Sequence, residues 1–157
     1  MPQRDERTEA QPLMVVADDS ALADGQDLAR SSSWHDLLGE LATPGTVRAL
    51  TGASRGQLDG ARRRGDVLAI RTSNGRWLYP LRQFRPTGGG RMEVLAGLPE
   101  VLRALYESGD SAGAARWLAT PNRRLGGLSP WESLTTGDRT SQVVEAARAQ
   151  AAAWSDR

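Results

Sequence analysis

The sequence contains no cysteine and no lysine, and its single histidine is His35. Without thiols there are no disulfides, thiolate metal sites or thiol nucleophiles. Without lysine there is no Walker-type phosphate loop, Schiff base or lysine general base. A lone histidine with no evident partner adds little, so the composition points to a binding protein rather than an enzyme, with no cofactor. Large apolar residues are scarce as well. Leu, Ile, Val and Phe make up 29 of the 157 residues, under the roughly 20% at which large cores become hard to build. Two small helical units and a tail fit better than one large core. No apolar run approaches the ~20 residues of a membrane span, and the N-terminus is acidic rather than a signal peptide. A cytoplasmic protein with no membrane partner is expected.

The net charge of +1 conceals a strong asymmetry, and all 20 basic residues are arginine. Residues 1–40 carry 3 Arg against 9 acids, residues 41–91 carry 10 Arg against 2 Asp, and residues 92–157 carry 7 Arg against 8 acids. The basic middle segment makes a polyanion the first partner to consider.

Residues 1–30 are polar and acidic, with one short apolar patch at Leu13, Val15 and Val16, and read as a flexible tail. Ser33 can cap a helix from Trp34 to Leu41 whose apolar face is Trp34, Leu37, Leu38 and Leu41. Thr43-Pro44 starts a helix that carries Val47 and Leu50 inward, and Gly52 interrupts it. Ser54 caps a second helix that runs to Arg64 and stops at Gly65. Asn74-Gly75 then suggests a two-residue type I′ hairpin. That turn would place Leu68, Ile70, Thr72, Trp77, Tyr79 and Leu81 on a core face, opposite Ala69, Arg71, Ser73, Arg76, Leu78 and Pro80. The run 87–91, with its Gly triplet, reads as an interdomain linker.

Helix, turn, helix and hairpin are the parts of a small winged helix-turn-helix. A second helix of this width suits the DNA major groove, and the first helix props it. With Leu58 and Ala61 facing Val47 and Leu50, the candidate DNA contacts are Ser54, Arg55, Gln57, Arg62 and Arg63. Arg71 and Arg76 at the wing reach for phosphate or the minor groove. Gly56 and Gly60 lie inside this helix and each costs about 1 kcal/mol against Ala. Residues 43–81 resemble the short winged helix-turn-helix of excisionase-like and MerR-like DNA-binding domains.

The C-terminal stretch is denser in local signals. Pro99 opens a helix with Val101, Leu102, Leu105 and Tyr106 inside. Asp110 or Ser111 caps the next, which ends near Trp117-Leu118 ahead of Pro121. Asn122 can hold a turn, Leu125 is an apolar plug in a polar loop, and Gly126-Gly127 allow positive φ. Ser129-Pro130-Trp131-Glu132 is a capping box with proline at the first helical position. A last helix from Thr140 carries Val144, Ala147, Ala151 and Trp154 as its apolar stripe.

In this stretch Trp117, Leu118, Pro121, Asn122, Leu125, Gly126, Gly127, Pro130, Leu134 and Gly137 resemble the recurring residues of the toxin-binding domain of Xre/MbcA/ParS-like antitoxins. The resemblance extends over about 98–154, with Trp131 where the family more often has an aliphatic residue. It implies a type II antitoxin that neutralises a RES-domain, NAD-depleting toxin by covering its active-site cleft, and that represses its own operon. The toxin-binding candidates are Trp117, Asn122, Arg123, Arg124, Leu125, Gly126, Gly127, Arg148 and Trp154. Arginine and aromatic residues dominate interface hot spots.

The expected architecture is mainly α with one β-hairpin: a tail (1–30), a small winged helix-turn-helix (31–86), a linker (87–91) and a helical toxin-binding module (92–157) able to fold alone. The expected partners are a cognate RES-domain toxin and operator DNA, in a homodimer or a toxin–antitoxin hetero-oligomer. The alternative is a winged-helix transcriptional regulator whose C-terminal module only dimerises.

Overall fold

The computed structural model describes residues 33–156, so the tail reading of 1–30 lies outside the described residues. Residues 33–38 are helical (α1). The helix expected to reach Leu41 stops earlier. Gly39, at φ +78°, closes it with its N–H donating to His35 O at 2.8 Å. Leu41–Ala42 then forms a two-residue strand, β1. Helix α2 (Pro44–Thr51) is capped by the Thr43 side chain and ends at Gly52. Helix α3 (Arg55–Arg64) opens with a reciprocal Ser54–Gln57 capping box and ends at Gly65. Strands β2 (Ile70–Arg71) and β3 (Trp77–Pro80) follow. The sheet order is β1-β3-β2, antiparallel throughout, so helix-turn-helix and hairpin form a winged unit.

The hairpin register differs from expectation by one residue. Ile70 pairs with Leu78 and Arg71 with Trp77. The Thr72 N–H donates to Arg76 O at 2.8 Å and the Gly75 N–H to Thr72 O at 2.9 Å, leaving three residues in the loop. Only Gly75 takes positive φ there, at +86°. This is a turn followed by a left-handed glycine, not the type I′ turn. The shift brings Leu78 onto the face of Leu68 and Ile70 and moves Trp77 and Tyr79 to the face of Ala69 and Arg71. Packing on both sides decides the register, because a one-residue slip would separate Leu78 from Leu68 and Ile70 and Tyr79 from Ala69.

The correct register gives this small sheet two buried faces. Leu68, Ile70 and Leu78 join one apolar cluster with Leu38, Leu41 and the C-terminal helices. Val67, Ala69 and Tyr79 join a second cluster with Val47 and Leu58, against which Ala61 and Trp77 pack. The sheet is therefore a wall shared by two cores.

A 3₁₀ turn (Leu81–Gln83) leads into a second hairpin, β4 (Phe84–Pro86) with β5 (Met92–Val94). The glycine run read as a linker is the loop of this hairpin. The Thr87 N–H donates to Arg91 O at 2.7 Å and the Gly90 N–H to Thr87 O at 3.4 Å. Both hairpin loops thus have the form Thr-x-x-Gly-Arg, with the same two closing bonds.

Four helices complete the chain: α4 (Leu98–Tyr106), α5 (Ser111–Ala119, capped by Asp110), α6 (Pro130–Thr136, with the Ser129–Glu132 capping box) and α7 (Thr140–Ser155). A 3₁₀ turn (Arg123–Leu125) lies between α5 and α6. The architecture is mainly helical with small hairpin sheets. The C-terminal helices share their core with α1, β1 and the inner face of the wing sheet. At the other contact, Asp66 bonds both Arg64 and Arg103, and Tyr106 packs on Gly65. Among the described residues no helix is long and apolar enough to cross a membrane.

Candidate functional site

Two surfaces hold the candidate contact residues named from sequence. The first is the winged unit, where the structure sorts the arginines into held and free. Arg62 is held. Its guanidinium lies 4.2 Å from the Trp77 ring centroid and 3.8 Å from Asp59, and only 19% of the side chain is exposed. Arg71 sits on the same ring at 5.6 Å. Arg64 is tied to Asp66 at 3.0 Å and Arg85 to Glu93 at 3.4 Å. Ser54 and Gln57 occupy each other: Ser54 N–H donates to Gln57 Oε1 at 2.8 Å and Gln57 N–H to Ser54 Oγ at 3.1 Å. Arg76 is exposed at the wing tip.

Arg48, Arg55, Arg63 and Arg91 are exposed and engage no partner among the described residues. Two of them, Arg48 and Arg55, lie on the helices flanking the α2–α3 turn, and a third reaches it from elsewhere. Arg48 sits in the last turn of α2, and its carbonyl accepts from Gly52 N–H at 2.8 Å. Arg55 begins α3. Arg91 arrives from the second hairpin: a Cβ on Gly52 would stand 2.6 Å from Arg91 Nη1. Sequence reading missed Arg48 and Arg91, although the repeated Thr-x-x-Gly-Arg was visible and points to a second hairpin.

The second surface is the loop between α5 and α6. Asn122 organises it. Its Oδ1 accepts from Arg124 N–H at 2.9 Å, its carbonyl accepts from Leu125 N–H at 3.0 Å and Gly127 N–H at 2.9 Å, and its N–H donates to Leu128 O at 2.9 Å. Leu125 is fully buried as a plug. Gly126 and Gly127 take φ of +69° and +88°, which favours glycine at both. Arg139 Nη1 donates to Leu125 O at 3.1 Å and pins the loop to the start of α7. Trp117 is buried beneath. These residues shape the loop, whereas Arg123, Arg124 and, on α7, Arg148 project outward with no partner among the described residues. Trp154 is half-buried over Gly109, where a Cβ would stand 2.6 Å from its ring, so it serves packing within the fold.

Next to this loop, Trp131 is fully buried, with the Arg82 guanidinium 5.3 Å from its ring centroid. Partial burial lowers the Arg82 pKa, opposed by the nearby Glu132 charge. The Glu132 carboxyl is held below its ordinary range, first by the Ser129 backbone N–H and then by the Ser129 hydroxyl.

Residues 101–146 match the antitoxin Xre/MbcA/ParS C-terminal toxin-binding domain. That span holds α5, the Asn122 loop, α6 and Arg139. The NMR structure of Rv2175c is similar over 71% of this chain and 80% of that chain, at 26% sequence identity and a TM-score of 0.57. A likeness over 71% of the chain exceeds what residues 92–157 can supply, so it extends into the chain before residue 92. No curated protein matches the sequence.

Proposed function

We propose that this protein is the antitoxin of a type II toxin–antitoxin pair, that it binds and neutralises a RES-domain, NAD-depleting toxin, and that it represses its own operon through the winged unit. The observation that carries the reading is the match of 101–146 to an antitoxin toxin-binding domain, centred on a loop that is rigid inside and presents two free guanidiniums. A loop held by Asn122, Leu125 and two left-handed glycines loses little conformational entropy on docking. Arg123 and Arg124 then supply planar, charged contacts suited to an acidic cleft rim. Neutralisation by covering a cleft requires binding alone, with no catalytic group from the antitoxin.

The DNA role rests on the basic winged unit. Free arginines beside α3 can neutralise phosphates while the helix enters the major groove.

The test is co-expression of the full-length protein with the RES-domain protein encoded beside it, read as growth rescue and co-purification. Rescue that is lost in the Arg123→Ala/Arg124→Ala variant, with its fold intact by circular dichroism, is the expected result. Absence of any complex with the toxin would overturn the assignment.

A further inference from the structure

We propose that the β4–β5 hairpin is a second basic wing, and that Arg91 at its loop joins Arg48 and Arg55 to hold a backbone phosphate of duplex DNA. The inference rests on the DNA-binding reading of the winged unit and adds a hairpin whose loop, 87–91, reads as a linker in the sequence.

Three observations carry it. The two hairpin loops are built alike: Thr72 to Arg76 and Thr87 to Arg91 have the same spacing, the same left-handed glycine before the arginine, and the same bonds closing Thr to Arg and Gly to Thr. The second loop therefore presents an arginine at the position that the first wing gives to Arg76. The partnering of charges on this hairpin is also uneven. Arg85 is neutralised by Glu93 across the strands, while Arg91 has no acidic partner among the described residues. Finally, Arg91 lies against Gly52, the one residue of the α2–α3 turn whose missing side chain makes room for the guanidinium. Ser54, two residues on, caps α3.

Exposed arginines on the two helices that flank this turn, with Arg91 against Gly52, form a basic edge that an anion would neutralise. Duplex DNA supplies phosphates at fixed spacing next to a groove-bound helix. A phosphate held at this turn would fix the register of α3 on the duplex without reading sequence.

The experiment measures binding of the full-length protein to a mixed-sequence DNA duplex across a salt series. Each phosphate contact contributes about 0.9 to the slope of log K against log salt. Arg91→Ala is expected to reduce the slope by about that amount, and Arg91→Lys to restore it. Thermal unfolding of each variant is recorded alongside. An Arg91→Ala protein with a lowered melting temperature and the wild-type slope would overturn the inference, because Arg91 would then serve only the turn. An unchanged slope with unchanged stability would overturn it equally. A wild-type protein that fails to bind the duplex at low salt would overturn the DNA-binding reading itself, and this inference with it.

Discussion

The side chain of Gln83 stands in for a missing strand beside Leu68. Leu68 N–H donates to Gln83 Oε1 at 2.8 Å, and Gln83 Nε2 donates back to Leu68 O at 2.8 Å and to Pro80 O at 3.0 Å. Both residues are fully buried. Leu68 precedes the short strand β2, so no neighbouring strand satisfies its backbone. Replacing Gln83 with Leu would leave two carbonyls and one N–H without partners in the interior. The expected loss is on the order of 3 kcal/mol in denaturant unfolding. A Gln83→Leu protein as stable as wild type would show that the clamp contributes nothing.

Arg62 and Arg63 are adjacent and should behave oppositely. Arg62→Ala removes a guanidinium stacked on Trp77 and should cost about 1–2 kcal/mol of stability. Arg63→Ala removes an exposed cation and should leave the melting temperature unchanged while weakening duplex binding. Paired melting and binding measurements separate the two.

Gly97 and Gly88 form a second contrast. Gly97 has φ +87°, and a Cβ there would stand 2.2 Å from Thr140 Cγ2. Gly97→Ala should cost about 2 kcal/mol or more, from backbone strain together with the clash where α4 meets α7. Gly88 has open space around it and φ outside the left-handed region, so Gly88→Ala should be tolerated. Equal melting temperatures for the two variants would contradict this.

Two titrations should be visible in the stability profile. Tyr106, the last residue of α4 and packed on Gly65, has its pKa pushed up to about 12, chiefly by burial and secondarily by Asp110. Its contribution is complete below its ordinary pKa of 10.0 and is lost as pH rises towards 12. Tyr106→Phe should flatten that alkaline limb. Glu132 has the opposite sign. Its carboxyl is depressed below 4.5, so its capping contribution is full above that value and is lost as pH falls through the depressed one. Glu132→Gln should flatten the acid limb.

Truncation tests the shared core. Residues 92–157 alone would expose the apolar surface that the C-terminal helices share with Leu38, Leu41, Leu68, Ile70 and Leu78. The fragment should lack a cooperative thermal transition, whereas the full chain shows one. A fragment that melts cooperatively would mean that the two units are separable.

Much of the helical layout was legible in the sequence because its signals are local. Thr43-Pro44, the Ser54–Gln57 and Ser129–Glu132 boxes, Asp110, and the closing glycines at 52, 65 and 137 each act within one turn of backbone. The strands were harder. Leu41–Ala42 is two residues long and is a strand only because β3, nearly forty positions later, lies beside it. Asn74-Gly75 fits two kinds of hairpin loop, and the choice rests on burying Ile70 opposite Leu78. The glycine triplet hid a hairpin because composition was weighed over the flanking Thr87 and Arg91. For the candidate contacts, residue type was visible but engagement was not. Arg62 and Arg63 look alike in sequence, and only the position of Trp77 separates them.

The wall between the two cores has a consequence for how variation along it would be inherited. Neighbouring positions 67 to 70 alternate in allegiance: Val67 and Ala69 serve the helix-turn-helix side, Leu68 and Ile70 the side of the C-terminal helices. A mutational scan through this stretch should return phenotypes that alternate with period two. Compensating changes should pair each position with distant residues of its own side rather than with its neighbour in the chain. Two lineages of coupled substitutions can therefore run through one short extended segment, interleaved and largely independent.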